Sequence, residues 1–265
     1  MAAISINDLT LGYDGHPAVH HLHGRFDAGS LTAIVGPNGS GKSTLLKGIT
    51  GVLKPLGGAI EHAGFGVRDI AYLPQSAEID RSFPATVSEL VSLGFWKQRG
   101  PFAALRGVDR KALDQALQAV GLAGFERRPI DTLSGGQLQR ALFARVLLQD
   151  APIILLDEPF TAIDEKTVAD LIALVQRWHG EQRTVIAVLH DVEMVRRVFP
   201  QTLLLAREPI AWGDTATTLR PENLLKARQM TEAWDANAPW HDIGEDHVHG
   251  DHHHHGHHHH RGDAA

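Results

Sequence analysis

A glycine-rich segment near the N-terminus has the residue types and spacing of a phosphate-binding loop. The fixed positions of the pattern G-x-x-x-x-G-K-[ST] are occupied by Gly36, Gly41, Lys42 and Ser43. Glycines let the backbone approach an anion closely, and N–H groups at a following helix start point toward it. The pattern predicts that Lys42 contacts the β- and γ-phosphates and that the Ser43 hydroxyl binds Mg²⁺. The predicted phosphate contacts come from Gly36, Pro37, Asn38, Gly39, Ser40, Gly41, Lys42, Ser43 and Thr44.

Two carboxylates follow a second apolar run. Residues 153–156 are all Ile or Leu and lead directly into Asp157 and Glu158. Because successive strand residues point to opposite faces of a sheet, we expect the two carboxylates to differ in role. One can bind Mg²⁺, and its neighbour can orient a water for attack on the γ-phosphate. A merely solvated acidic strand end would leave the four preceding apolar residues unexplained.

A second glycine-rich segment, residues 133–137, reads Leu-Ser-Gly-Gly-Gln. Ser134 is a favourable helix N-cap, and Gly135 and Gly136 leave backbone N–H groups uncovered. Alone, the segment indicates only an ordinary loop-to-helix transition. It lies about a hundred residues after a phosphate-binding loop, which weakens that simple interpretation.

Hydrophobic periodicity predicts the elements that position these residues. A buried strand over 31–35 precedes the phosphate loop, and a helix over 44–49 follows it. Residues 3–26 alternate in two runs around a turn, which indicates two antiparallel strands. Residues from about 78 to 149 are predicted to form an inserted helical lobe. After Asp150, strands and helices alternate to about residue 236, as in a parallel sheet with crossover helices. The predicted fold class is α/β.

Composition narrows the class of protein. The chain has 265 residues, 43% of them apolar, which is enough for a proper core. Its formal net charge of −6 gives no basic field for nucleic acid, and the absence of cysteine excludes disulfides and thiolate metal ligands. The start lacks a secretory pattern, and no apolar run approaches the ~20 residues of a membrane span. We therefore expect a soluble, cytosolic polypeptide.

Taken together, the motifs resemble those of ABC-type ATPases over roughly residues 3–235. The resemblance implies that residues 1–236 form one ATPase domain with the P-loop NTPase fold. This domain would contain a mostly parallel core sheet, an N-terminal antiparallel β subdomain and an inserted helical subdomain. It implies ATP and Mg²⁺ as ligands, Asp157 as the Mg²⁺ partner and Glu158 as the general base. His190, at the end of the apolar run 184–189, resembles the switch histidine that senses the γ-phosphate, although a lone histidine is more often an ordinary surface or core residue.

The same resemblance implies roles for three further residues. Gln75 resembles the glutamine-loop residue that reaches the Mg²⁺–water shell and reports to the membrane partner. Asp164 resembles the loop that crosses a dimer interface, although Phe160-Thr-Ala-Ile-Asp164 departs from the commoner Ser-x-Leu-Asp form. Tyr13 resembles the aromatic that stacks on adenine; its alternative is a simple edge-strand aromatic.

The resemblance also implies partners. Two copies would face each other head to tail, with ATP between the phosphate loop of one and the signature segment of the other: Leu133, Ser134, Gly135, Gly136 and Gln137. A transmembrane permease would carry the pore, and this chain would lie peripherally on the cytoplasmic face of the inner membrane. A non-transport ABC ATPase is less favoured, because the chain has one motif set and no sustained heptads.

Residues 237–265 are unlike the rest of the chain. Eleven of its eighteen histidines lie between His241 and His260. Imidazole side chains are mostly neutral at cytosolic pH and can therefore bind zinc, nickel or copper. The segment has no apolar pattern that could form a core, so it is predicted to be disordered. Gly256 interrupts the run and Arg261-Gly-Asp-Ala-Ala265 follows it, which favours a native segment over an affinity tag. The predicted Zn²⁺ ligands are His247, His249, His252, His253, His254, His255, His257, His258, His259 and His260.

Two short segments narrow the range of substrates that the system could transport. Residues 79–94 and 159–164 resemble the ATPases of high-affinity zinc and manganese uptake systems. The leading hypothesis is zinc import, with an extracytoplasmic metal-binding protein in the same system. Manganese, nickel and iron chelates remain alternatives.

Overall fold

The computed structural model describes residues 2–100, 106–161 and 163–237. The strands are β1 (Ala2–Tyr13), β2 (His16–Asp27), β3 (Leu31–Val35), β4 (Gly57–His62), β5 (Ile70–Leu73), β6 (Ile153–Asp157), β7 (Thr184–Val188), β8 (Gln201–Ala206) and β9 (Glu208–Asp214). The helices are α1 (Lys42–Ile49), α2 (Val87–Ser92), α3 (Trp96–Arg99), α4 (Gly107–Ala119), α5 (Gly135–Gln149), α6 (Glu165–Gly180), α7 (Val192–Val198), α8 (Thr215–Thr218) and α9 (Pro221–Asn237).

The central sheet has six strands in the order β5-β6-β7-β3-β8-β9. β5, β6, β7, β3 and β8 are parallel, which confirms the predicted mostly parallel sheet. All residues of β3, β6 and β7 are buried, as expected for parallel strands covered on both faces. The expectation of crossover helices throughout the last part of the chain is wrong at β9. It pairs antiparallel with β8 because only Arg207, at φ 63°, joins the two strands.

A second, antiparallel sheet lies over α1 in the order β2-β1-β4. β1 and β2 match the predicted pair. β4 was missed, because its two glycines and its exposed, weakly apolar residues resemble a loop. It pairs with β1 in a register that sets Ile60 opposite Ile6. The pairing partner, rather than the segment itself, makes this stretch a strand.

Two apolar clusters cover the faces of the central sheet. One joins α1 and the antiparallel sheet to one face, and the other joins α5, α6 and the helical lobe to the opposite face. Within the lobe, Gly94 packs closely against α5, where an added Cβ would lie 2.5 Å from the carbonyl oxygen of Arg145. In the residues that the structure describes, no helix has the length and hydropathy needed to cross a membrane.

Candidate functional site

The phosphate loop joins the end of β3 to the start of α1. Gly41 is the N-cap of α1 at φ 91°, and Gly39 lies at φ 73°, a backbone region that side chains disfavour. A Cβ on Gly41 would lie 2.5 Å from the carbonyl oxygen of Ala18, and one on Gly36 would clash with the carbonyl of Leu205. Space requires glycine at positions 36 and 41, whereas the positive φ favours glycine at positions 39 and 41. The loop presents the N-terminus of α1 at the carboxyl end of the sheet, the usual place for an anion in α/β folds.

Lys42 lies within this loop. Its Nζ donates hydrogen bonds to the carbonyl oxygens of Gly36 at 2.9 Å and Pro37 at 2.7 Å. Burial lowers the pKa of Lys42, and the nearby carboxylates of Glu158 and Asp157 oppose that shift. The Lys42 ammonium group is therefore held inside the loop by two of the loop's own carbonyl oxygens. The cleft over the loop is lined by Ala18, Asn38, Gly39, Ser40, Gly41, Lys42, Ser43, Thr44 and Glu158.

Asp157 lies at the end of β6 and is fully buried. Ser43 Oγ donates to its Oδ1 at 3.0 Å, and the Tyr72 hydroxyl donates to its Oδ2 at 3.3 Å. Burial raises the pKa of Asp157, the hydrogen bond from Ser43 opposes that shift, and the charge of Glu158 adds to it. A serine hydroxyl and a carboxylate are the hard oxygen ligands that Mg²⁺ prefers, so these two residues fit the ion.

Glu158 occupies a different position from its neighbour. Its Oε2 accepts from Gln75 Nε2 at 2.9 Å, and its Oε1 lies 2.7 Å from His190 Nε2. We expected pleat alternation to separate the two carboxylates. Instead β6 ends at Asp157, and Glu158 adopts φ 49°. A non-glycine residue in this region costs of order 1 kcal/mol, and such strain concentrates at functional sites.

The structure thus brings together five of the predicted residues: Ser43, Gln75, Asp157, Glu158 and His190. It also shows two contacts that sequence reasoning missed. One is made by Tyr72, for which the sequence predicts no role. The Thr161 hydroxyl donates to Glu158 Oε2 at 3.4 Å, and no sequence pattern marks that residue.

The signature segment lies apart from the cleft over the phosphate loop. Ser134 caps α5, accepting from Gln137 N at 3.2 Å, while its own N–H donates to Gln137 Oε1 at 3.0 Å. This capping box satisfies two backbone N–H groups at the start of a fifteen-residue helix. None of residues 133–137 lines the described part of the cleft.

Asp164 and Tyr13 also lie apart from the cluster around Glu158. Asp164 caps α6, accepting from Thr167 N at 3.0 Å and Thr167 Oγ1 at 2.8 Å. Those hydrogen bonds lower its pKa. Tyr13 ends β1 and is 47% exposed, which leaves its ring accessible to a stacking partner.

The predicted histidine ligands, from His247 to His260, lie outside the described residues. Within the ranges that the structure describes, no group of three or more His, Asp or Glu side chains is arranged to hold a metal ion.

Similarity to known proteins extends over most of the chain. The sequence profile of a family described as "ABC transporter" matches residues 19–161. The manganese transport system ATP-binding protein MntA of Synechocystis sp. is 36% identical over 251 residues, covering 89% of this chain and 96% of the relative. The zinc transport system ATP-binding protein TroB of Treponema pallidum is 35% identical over 229 residues, covering 85% and 86%. A solved dimeric ATP-binding cassette, in a post-hydrolysis state with ADP and Pi, has a TM-score of 0.71 at 26% identity, covering 80% of this chain and 98% of that one.

Proposed function

Since this chain belongs to the ABC transporter family and is an ATPase, we propose that it is the ATP-hydrolysing subunit of a metal-ion importer whose cargo is zinc. The predicted family and its P-loop fold are confirmed. The cargo and the residue roles are our proposal. The observation that supports the roles best is the position of Glu158 between Gln75 and His190, beside the pair formed by Ser43 and Asp157.

The chemistry follows from that arrangement. Lys42 and the N–H groups of the phosphate loop bind the phosphates. Ser43 and Asp157 would hold Mg²⁺, which would supply positive charge beside the phosphate oxygens. Glu158 accepts a proton from the attacking water, and His190 and Gln75 hold that carboxylate in place. Most of the rate enhancement comes from positioning and electrostatics rather than from covalent catalysis.

We place a second copy of the chain over the cleft. At the N-terminus of α5, Ser134 is exposed and Gly135 and Gly136 are half-buried, so these residues of one copy can contact the γ-phosphate bound by another. One similar solved cassette is itself a dimer bound to ADP and Pi. Asp164 Oδ2 lies 3.8 Å from Nη2 of Arg140 in α5. In the dimer that we propose, Asp164 contacts the other copy.

The permease partner is proposed to dock in a groove between the helical lobe and the core. The groove is lined by Arg68, Ile70, Trp96, Lys97, Gly100 and Gln149. Trp96 is 54% exposed, an unusual state for so large an apolar ring. Gln149 Oε1 is buried without a hydrogen-bond partner among the described residues. The occupant we propose is a short permease helix that carries an apolar side chain for Trp96.

Two observations bear on the cargo. Relatives that match most of the chain are named for zinc and manganese transport. The histidine-rich segment 241–260 favours zinc, because imidazole suits zinc better than it suits manganese. The relatives named for manganese transport make manganese the second candidate. We place the subunit on the cytoplasmic face of the inner membrane, with an extracytoplasmic metal-binding protein delivering the ion.

The cargo is tested with the reconstituted transporter. The chain, its permease and its binding protein are placed in liposomes, and ATP hydrolysis is measured with the binding protein loaded with Zn²⁺ or Mn²⁺. Zinc uptake and zinc-stimulated hydrolysis are expected. Stimulation by manganese alone would replace zinc with the second candidate, and no stimulation by either would exclude both zinc and manganese as the cargo.

The histidine-rich segment is tested separately. We propose that it buffers or senses arriving zinc. Zinc titrations of the full chain and of residues 1–236 should differ in stoichiometry, and the additional binding should weaken below about pH 6 as protons compete for imidazole. Equal stoichiometries would end this idea without affecting the transport proposal.

A further inference from the structure

Tyr72 connects the Asp157 carboxylate to the neighbouring strand. β5 and β6 are parallel and adjacent, and Tyr72 pairs with Leu155, two residues before Asp157. The Tyr72 hydroxyl contacts Oδ2 of Asp157, and Ser43 Oγ contacts Oδ1. Each oxygen of this fully buried carboxylate therefore has its own hydroxyl donor.

The backbone of Tyr72 is fixed independently of its side chain. Its carbonyl oxygen accepts from Arg145 Nη2 at 2.7 Å. Arg145 lies in α5, the helix that Ser134 caps, and burial lowers its pKa. The Tyr72 ring packs against the apolar cluster around α1, on the side of the sheet opposite to α5. Backbone and ring contacts together set where the phenol hydroxyl lies.

Two contacts on opposite oxygens restrict a carboxylate more than one contact does. The Cβ–Cγ torsion of aspartate is broad, so a single hydrogen bond to Oδ1 leaves the plane of the group free to rotate. A second donor on Oδ2 fixes that plane. Without it, Oδ2 would be buried and unsatisfied, which is costly for a charged group.

We infer that Tyr72 is a positioning residue for Asp157: its hydroxyl fixes Oδ2 so that Oδ1 stays aligned with Ser43 where the nucleotide-bound Mg²⁺ is held. This inference rests on the proposed function, since it takes Ser43 and Asp157 as the residues that serve Mg²⁺. It assigns a specific task to a side chain that never touches the phosphates.

The test is Tyr72→Phe, which keeps the ring and removes only the hydroxyl. The affinity for a fluorescent ATP analogue is measured in EDTA and in saturating Mg²⁺. Affinity in EDTA should be unchanged, while the gain in affinity that Mg²⁺ produces should fall by about three- to ten-fold, the effect of losing one hydrogen bond. The matched control is Thr202→Val, which removes a buried hydroxyl from β8 in the same sheet and should leave the Mg²⁺ gain intact.

Ser43→Ala separates failure of this inference from failure of the proposed site. If Ser43→Ala loses the Mg²⁺ gain and Tyr72→Phe keeps it, Tyr72 has no positioning role and the site stands. If neither variant changes the gain, the proposed site itself fails.

A second measurement avoids the variant and holds even if Tyr72→Phe does not fold. The chain has only two tyrosines, so 3-fluorotyrosine gives two ¹⁹F signals, and Tyr13→Phe identifies which signal belongs to Tyr72. Adding Mg²⁺ to the ADP-saturated protein should shift the Tyr72 signal, because its hydroxyl senses the charge state around Asp157. An unmoved signal would overturn the inference.

Discussion

Replacing Glu158 with glutamine tests the assignment of the general base most directly. The substitution keeps the shape of the side chain but removes its ability to accept a proton. Loss of a positioned general base lowers rates by about 10²- to 10⁴-fold, equivalent to about 3–5 kcal/mol of transition-state stabilisation. We therefore expect kcat for ATP hydrolysis to fall by that factor in Glu158→Gln.

The structure predicts that folding and nucleotide binding survive this change. A glutamine at position 158 can still accept from Gln75 Nε2, and its amide can donate to His190 when that ring presents Nε2 as an acceptor. Both contacts are thus retained in modified form, and the free energy of unfolding should change by no more than about 1 kcal/mol.

The assay combines phosphate release, binding of a fluorescent ATP analogue and gel filtration with ATP. The variant should bind ATP with unchanged affinity and accumulate as an ATP-bound dimer. The matched control is Glu222→Gln, an exposed carboxylate in the first turn of α9, which should behave as the wild type does. A Glu158→Gln turnover within two-fold of the wild type would remove Glu158 from the role of base.

Three further predictions concern the loop, the lobe and the groove. Lys42→Ala should weaken ATP binding by at least about ten-fold, because it removes a charge-assisted phosphate contact; equal affinity by fluorescence titration would contradict the site. The hydrogen bonds that Asp109 accepts from Arg99 and then Arg106 lower its pKa. The ionised carboxylate therefore stabilises the fold at pH values above 3.8, the pKa of aspartate in the unfolded chain. The difference in unfolding free energy between wild type and Asp109→Asn should therefore shrink as pH falls below about 4, and a pH-independent difference in chemical denaturation would refute the ion pair. Trp96→Glu should abolish co-purification with the permease, whereas Val108→Glu, at an exposed apolar residue of the same lobe, should not; equal recovery of both would exclude the groove.

Much of the site could be predicted because the sequence patterns that mark it lie within short segments of the chain. The phosphate loop needs glycines at fixed positions between a strand and a helix, and β3 and α1 follow directly from that spacing. Ser134 caps α5 as predicted, since a cap is a contact between residues three apart. β6 and β7 were evident as short apolar runs, because parallel strands buried on both faces carry few polar residues.

Local signals could not show which side chains meet. Gln75 and Glu158 are 83 residues apart in sequence, and Tyr72 and Asp157 are 85 apart. β5 brings the first member of each pair beside β6, and that adjacency depends on sheet order rather than on either segment. β4 and the antiparallel β9 were missed for the same reason, since each depends on pairing with a distant strand or on a single-residue turn.

The sequence alone determined the class of chemistry: an anion-binding loop, a magnesium-compatible carboxylate and a second carboxylate next to it. Only the tertiary structure decided how the two carboxylates diverge. The backbone turns to φ 49° at Glu158, so that its side chain lies between Gln75 and His190 while Asp157 stays buried under Tyr72 and Ser43. Residue types and spacing encode which atoms can react. Their positions depend on non-local packing, which fixes a conformation that the local sequence by itself disfavours.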